Sequence, residues 1–150
     1  MKYKFFWNGP FSNWHKCEFD YLGIWFKSSE QAMMYEKAML FDDIETAKQI
    51  LQTDDPSEQK KLGKKVKNFN PDIWNLTKVQ IVKEILKCKF LQNDDLHDEL
   101  LKYEGYEFVE ASPYDRIWGI GFHERDALDN IDKWGGNLLG KVLTELSREL

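Results

Sequence analysis

Between Ser28 and Phe41 the sequence SSEQAMMYEKAMLF sets apolar side chains in nearly every direction around a helical wheel. Met33, Met34 and Phe41 share one face, and Ala32, Tyr35, Ala38, Met39 and Leu40 fill most of the rest, which predicts a helix buried within a domain. Two charges interrupt it. Glu30 and Lys37 are seven residues apart; at ~100° per residue they return to within about 20° of each other, roughly 10 Å apart along the axis. Ion pairs on a helix prefer a spacing of one turn, so a simple salt bridge would be stretched. Ser28 with Gln31 three residues later forms a capping-box pattern at the start of this helix.

The same 3.6-residue period continues downstream. Asp42 or Asp43 caps a helix over Ile44 to Leu51, Asp55 followed by Pro56 starts a third, and Asn70 followed by Pro71 starts a long one through WNLTKVQIVKEILKCKF. In that long segment Trp74, Ile81, Ile85 and Leu86 form the predicted core stripe. Asn93 or Asp94 begins a short helix through Leu101, and Asn137 caps a final helix, LLGKVLTELSREL. Extended structure is confined to KYKFFW, to a hairpin in CEFDYLGIWFKS turning at Leu22 and Gly23, and to Gly105 to Phe122. In that last stretch a strand FVEA, a turn at Ser112 and Pro113, and the glycine-spaced run DRIWGIGF are expected. The expected fold class is mainly α: one compact helical domain over residues 1–150 with a few short β-strands.

Composition narrows the options. A chain of 150 residues with 42% hydrophobic and 15% aromatic content can fill a single core. The first ten residues hold only a three-residue apolar run and no stretch of ~20 apolar residues exists, so a soluble, cytosolic protein is expected, with no membrane span. Cys17 and Cys88 are far apart and His15, His97 and His123 are scattered, which argues against a disulfide framework or a metal site. A formal net charge of −5 argues against gripping long nucleic acid. KKLGKKVK, with five lysines from Lys60 to Lys67, reads first as a solvated helix face and only second as a landing patch for phosphates.

Four clusters carry candidate chemistry. A buried amine at Lys37 tends toward its neutral, nucleophilic form, with Glu30 as its neighbour. Glu110, Asp115 and Arg116 flank the Ser112–Pro113 turn beside Trp118, and Gly119 and Gly121 suggest close approach of a ligand or backbone, so acid/base groups and a stacking wall would meet there. Gly135 and Gly136 lead into a helix N-terminus whose free amides would suit an anion. Phe11, Ser12, Asn13 and Trp14 make an aromatic and amide loop able to read a flat polar ring.

In order, FSNW, SSEQAMMYEKA, Trp74, KFLQN, FVEASPYDRIWGIG and GGNLLGKVL resemble the blocks of the YbiA-like or NADAR family, from about Phe5 to Leu146. The resemblance implies a mainly helical fold and an N-glycosidase that breaks a bond between ribose C1 and nitrogen. Its substrate would be a phosphorylated ribosylamino-pyrimidine intermediate of riboflavin synthesis, or ADP-ribosylated guanine in DNA or nucleotide. By the same resemblance Lys37 attacks C1 and forms a Schiff base, and Glu30 is a ligand or acid/base partner. Trp74, Asp115 and Trp118 match pocket positions, Glu110 supplies a pocket carboxylate, and Asn137 with its glycines opens the last helix. Phe11 to Trp14, Ser112 and Gly119 fall within the matching blocks as substrate contacts, while His15 and Lys16 have no family role. The implied chemistry needs no metal or redox cofactor, and the alternatives are a non-catalytic ADP-ribose or nucleotide-binding module and a structural helical protein with paired charges.

Overall fold

Helices begin where the cap residues stand. The computed structural model describes residues 1–150. Its elements are β1 (Tyr3–Phe6), β2 (Phe19–Tyr21), β3 (Ile24–Phe26), α1 (Ser29–Leu40), α2 (Ile44–Leu51), α3 (Pro56–Gly63), α4 (Pro71–Leu91) and α5 (Asp94–Lys102), then β4 (Glu107–Glu110), α6 (Glu124–Ala127), a 3-10 helix (Leu128–Lys133) and α7 (Leu138–Glu149). Asp43, Asp55 and Asn70 accept backbone N–H bonds at the starts of α2, α3 and α4. The fold is mainly helical with a few short strands, as the pattern predicted. No helix is long and apolar enough to cross a membrane.

The chain packs as two units, one of residues 13–93 and one of residues 1–12 with 94–150. In the first, α1 packs against α2, α3 and α4, and the β2–β3 hairpin turns through left-handed Leu22 and Gly23. Ser28 caps α1 by accepting the Gln31 N–H at 3.0 Å. The reciprocal half of the capping box shifts by one residue: Gln31 Oε1 accepts from the Lys27 N–H, while its Nε2 donates to the Ile50 and Thr53 carbonyls. The helix is less enclosed than its wheel predicts. Residues 29–34 and Ala38 are buried, but Met39 and Leu40 reach solvent at 37% and 38% exposure.

On α4 the buried stripe is Trp74, Lys78, Val82, Ile85, Leu86, Lys89 and Phe90, with Ile81 only half-buried. Lys89 is fully buried, and desolvation pulls its pKa down to about 8 from the ordinary 10.5, against a smaller opposing pull from Cys17. Its charged form therefore destabilises the fold: the cost is complete below pH 8, shrinks between 8 and 10.5 where the unfolded chain binds the extra proton, and is gone above. At about 1.4 kcal/mol per pKa unit that cost is about 3 kcal/mol, so the stability of Lys89→Met relative to the wild-type chain is expected to be about 3 kcal/mol more favourable at pH 7 than above pH 10.5. Urea titrations should show that advantage shrinking toward pH 10.5, and a constant difference across pH would contradict the charge origin.

In the second unit β1 pairs in parallel with β4, Tyr3 opposite Glu107 and Phe6 opposite Glu110. α7 lies against β4, with Phe108 N–H donating to Thr144 Oγ1 at 2.9 Å. Val109, Ala111, Ile120 and Ala127 form a core cluster flanked by Tyr3, Phe5, Phe122 and Trp134. DRIWGIGF forms no strand. The carbonyls of Arg116, Ile117, Trp118 and Gly119 turn instead toward residues 136–139 and accept their N–H groups at 2.7–3.2 Å. α6 and the 3-10 helix, which the period does not predict, follow this loop.

Candidate active site

The Lys37 amine is held in a defined place. It is half-buried on α1, with Nζ 4.6 Å from the Phe69 ring centroid and 5.9 Å from that of Trp74, the latter buried in the first turn of α4. Ring faces position an ammonium and favour its charge. Desolvation nevertheless lowers the Lys37 pKa; the Glu30 charge opposes that shift, and the Lys64 charge adds to it. Glu30 is buried, and its backbone N–H donates to the Asn13 carbonyl at 2.9 Å. Asn13 also receives the Ser29 hydroxyl on its side-chain oxygen at 2.9 Å, which ties the loop carrying Trp14 to the start of α1. Trp14 itself is exposed, with Lys60 Nζ 6.0 Å from its ring centroid. Thus the first unit brings together Lys37, Glu30 and Trp74, and anchors Asn13 to the same helix.

The other predicted residues stand in the second unit. Phe11 is a core ring, edge-on to Phe108 at 5.1 Å and also against Phe6 and Tyr103. Ser12 is buried and its N–H bonds the Gly9 carbonyl. Glu110 ends β4, and Asp115 Oδ1 accepts the N–H groups of Ile117 and Trp118 at 2.8 and 2.9 Å, shaping the loop beneath Trp118. Ser112 is buried and its hydroxyl accepts the Tyr114 N–H at 3.4 Å. Gly119 has no room for a side chain: a Cβ would stand 2.9 Å from the Glu110 carbonyl and 3.0 Å from that of Asp115.

Two expectations change here. Asn137 does not cap α7 with its side chain. Its amide binds β4 instead, Oδ1 accepting from Glu110 N–H and Nδ2 donating to the Phe108 carbonyl, both at 3.0 Å. The backbone adopts the left-handed conformation (φ 49°) that this reach requires. Nor does the helix offer free amides to an anion, since the N–H groups of Asn137, Leu138 and Leu139 already bond the carbonyls of Gly119, Ile117 and Trp118.

Phe69 has no place in the sequence pattern, and Lys64 enters it only within the lysine run that reads first as a solvated helix face. Both precede α4 in an exposed segment without a periodic pattern, so only the folded chain shows that they act on Lys37.

Residues 5–150 match the NADAR domain model. The chain belongs to the NADAR family. It is 44% identical over 147 residues to N-glycosidase R617 of Acanthamoeba polyphaga mimivirus, covering 93% of this chain and 86% of the viral protein. Against a riboflavin biosynthesis protein of Vibrio vulnificus it is 29% identical over 143 residues, 95% of this chain but 36% of that longer protein. The NMR structure of the Escherichia coli protein YbiA matches 99% of this chain and 84% of its own with a TM-score of 0.80 at 24% identity, which establishes a shared NADAR fold.

Proposed function

We propose that this chain is an N-glycosidase, a hydrolase of N-glycosyl bonds, that releases a base from ribose C1 through a Schiff base on Lys37. The observation that carries this reading is the Lys37 amine, half-buried over Phe69 and Trp74 with its pKa lowered by desolvation. The viral relative's name gives independent support.

In the proposed sequence, the lone pair of the glycosidic nitrogen forms an iminium at C1 as the bond from C1 to the furanose ring oxygen breaks, and that oxygen takes a proton from a carboxylic acid side chain. The neutral Lys37 amine adds to C1, a proton passes from its nitrogen to the departing nitrogen, and the C1–N bond to the base breaks. Water then adds to C1 of the lysine imine, the C–N bond to Lys37 breaks, and the sugar leaves with the amine regenerated. Carboxylate duties, proton transfer and stabilisation of the cationic intermediates, are proposed for Glu30, Glu110 and Asp115. Trp14, Trp74 and Trp118 are proposed as stacking surfaces for flat parts of the substrate.

The proposed substrate is a small ribosylated nucleotide, either a phosphorylated ribosylamino-pyrimidine or ADP-ribosylated guanine, in keeping with the net charge of −5. Chromatographic base-release assays on both compounds test this directly. Release from at least one is expected, and a folded protein that releases neither overturns the reading.

A further inference from the structure

The lysine run behaves differently from a uniformly solvated face. Lys61 pairs with Glu58 at 3.4 Å on α3. Lys60 and Lys64, one turn apart on that helix and its C-terminal cap, have no acidic partner. Each is directed by the fold. Lys60 Nζ stands over the exposed face of Trp14, next to Asn13, which is bonded to the start of α1. Lys64 follows Gly63, where α3 meets α1 so closely that a Cβ would overlap Met34 Sδ. Met34 precedes Lys37 by three residues, one turn of the same helix, so the Gly63 contact brings the C-terminal end of α3, where Lys64 stands, against the turn of α1 that leads to Lys37. The electrostatic effect of Lys64 on Lys37 agrees with this placement.

Like charges one turn apart on a helix, with no acid paired to either, oppose folding through repulsion. The pair is the more notable in a chain with five more acidic than basic side chains. A bound anion reverses the sign, and ammonium groups on flexible stems suit the oxygens of a phosphoryl group. We infer that Lys60 and Lys64 form an oxyanion subsite beside Lys37 that takes the phosphoryl group of a ribosyl phosphate or diphosphate substrate. The inference rests on the reading of Lys37 as the reactive amine, and it assigns the lysines of α3 to recognition of the substrate's phosphate.

Inorganic pyrophosphate probes the subsite without catalysis. Titration calorimetry at fixed ionic strength should detect its binding to the full chain, weakened about tenfold or more in Lys60→Gln/Lys64→Gln and retained in Lys61→Gln, with Lys64→Arg restoring most of it in a Lys60-intact protein. Absence of binding to the wild-type chain, or equal binding by the double variant, overturns the subsite. With substrate, Lys64→Gln should raise KM for the phosphorylated compound about tenfold while changing KM for its dephosphorylated form far less. It should also move the acid limb of the pH profile upward, since a neighbouring positive charge is removed. Equal KM changes for both forms would count against the subsite. Loss of pyrophosphate binding in the double variant of a protein that releases no base would leave the subsite standing and sink the glycosidase reading; base release with unchanged pyrophosphate binding would do the reverse.

Discussion

Lys37→Ala is expected to lower kcat/KM for base release by about 10³-fold or more, because no other group replaces a covalent nucleophile. The expected loss falls on kcat, with the Trp74 ring still available to bind. Borohydride reduction during turnover should add the sugar to the wild-type chain, with the adduct mapping to the Lys37 peptide and absent from the variant. An adduct on another residue, or unchanged turnover by Lys37→Ala, would overturn the mechanism. The direction of pH dependence is fixed by the environment of Lys37. Desolvation lowers its pKa, so the neutral, reactive amine accumulates at lower pH than for an exposed lysine, and kcat/KM should rise with pH and level off below the ordinary lysine value of 10.5. Glu30 holds that pKa up, so Glu30→Gln should shift the acid limb to still lower pH, whatever its effect on the maximal rate.

Gly140→Ala carries the largest expected loss of stability. At an ordinary helical position the change from glycine gains about 1 kcal/mol from helix propensity alone. At Gly140 a Cβ would overlap the Phe108 carbonyl oxygen and the Asn137 side-chain amide, two groups already bonded to each other. The expected outcome is a loss of about 3 kcal/mol, since backbone and a doubly bonded amide cannot yield as a flexible side chain would. For a chain of this length that is a fall in Tm of roughly 10 °C, measurable by calorimetry or urea titration. A neutral or stabilised Gly140→Ala would mean that α7 does not approach β4 as described.

Local signals account for much of the agreement between sequence and structure. The starts of α2, α3 and α4 follow from Asp43, Asp55 with Pro56, and Asn70 with Pro71, because a cap acts on amides two or three residues away. The hairpin at Leu22 and Gly23 was legible for the same reason, its turn lying wholly within the segment. Lys89 was also within reach of a wheel: it continues the stripe of Val82, Ile85 and Leu86. Its charge concealed a position that the period marks as buried.

Distance along the chain marks where the sequence became silent. β1 pairs with β4 across about a hundred residues, a register that no local pattern encodes. DRIWGIGF has the glycine spacing of a strand approached by another backbone, and that approach occurs, but by the start of α7, whose N–H groups take the loop carbonyls. The Asn137 amide is drawn away from its own helix by two β4 backbone groups for the same reason. At the candidate site, the sequence by itself singled out the residues proposed to carry the chemistry: a lysine and a glutamate on one apolar helix, within ordered blocks shared with a family. Only the tertiary structure set Phe69 and Trp74 beside the amine and Lys64 near its charge, because a pKa depends on what surrounds a group in space, and those neighbours come from segments whose own periodicity says nothing about Lys37.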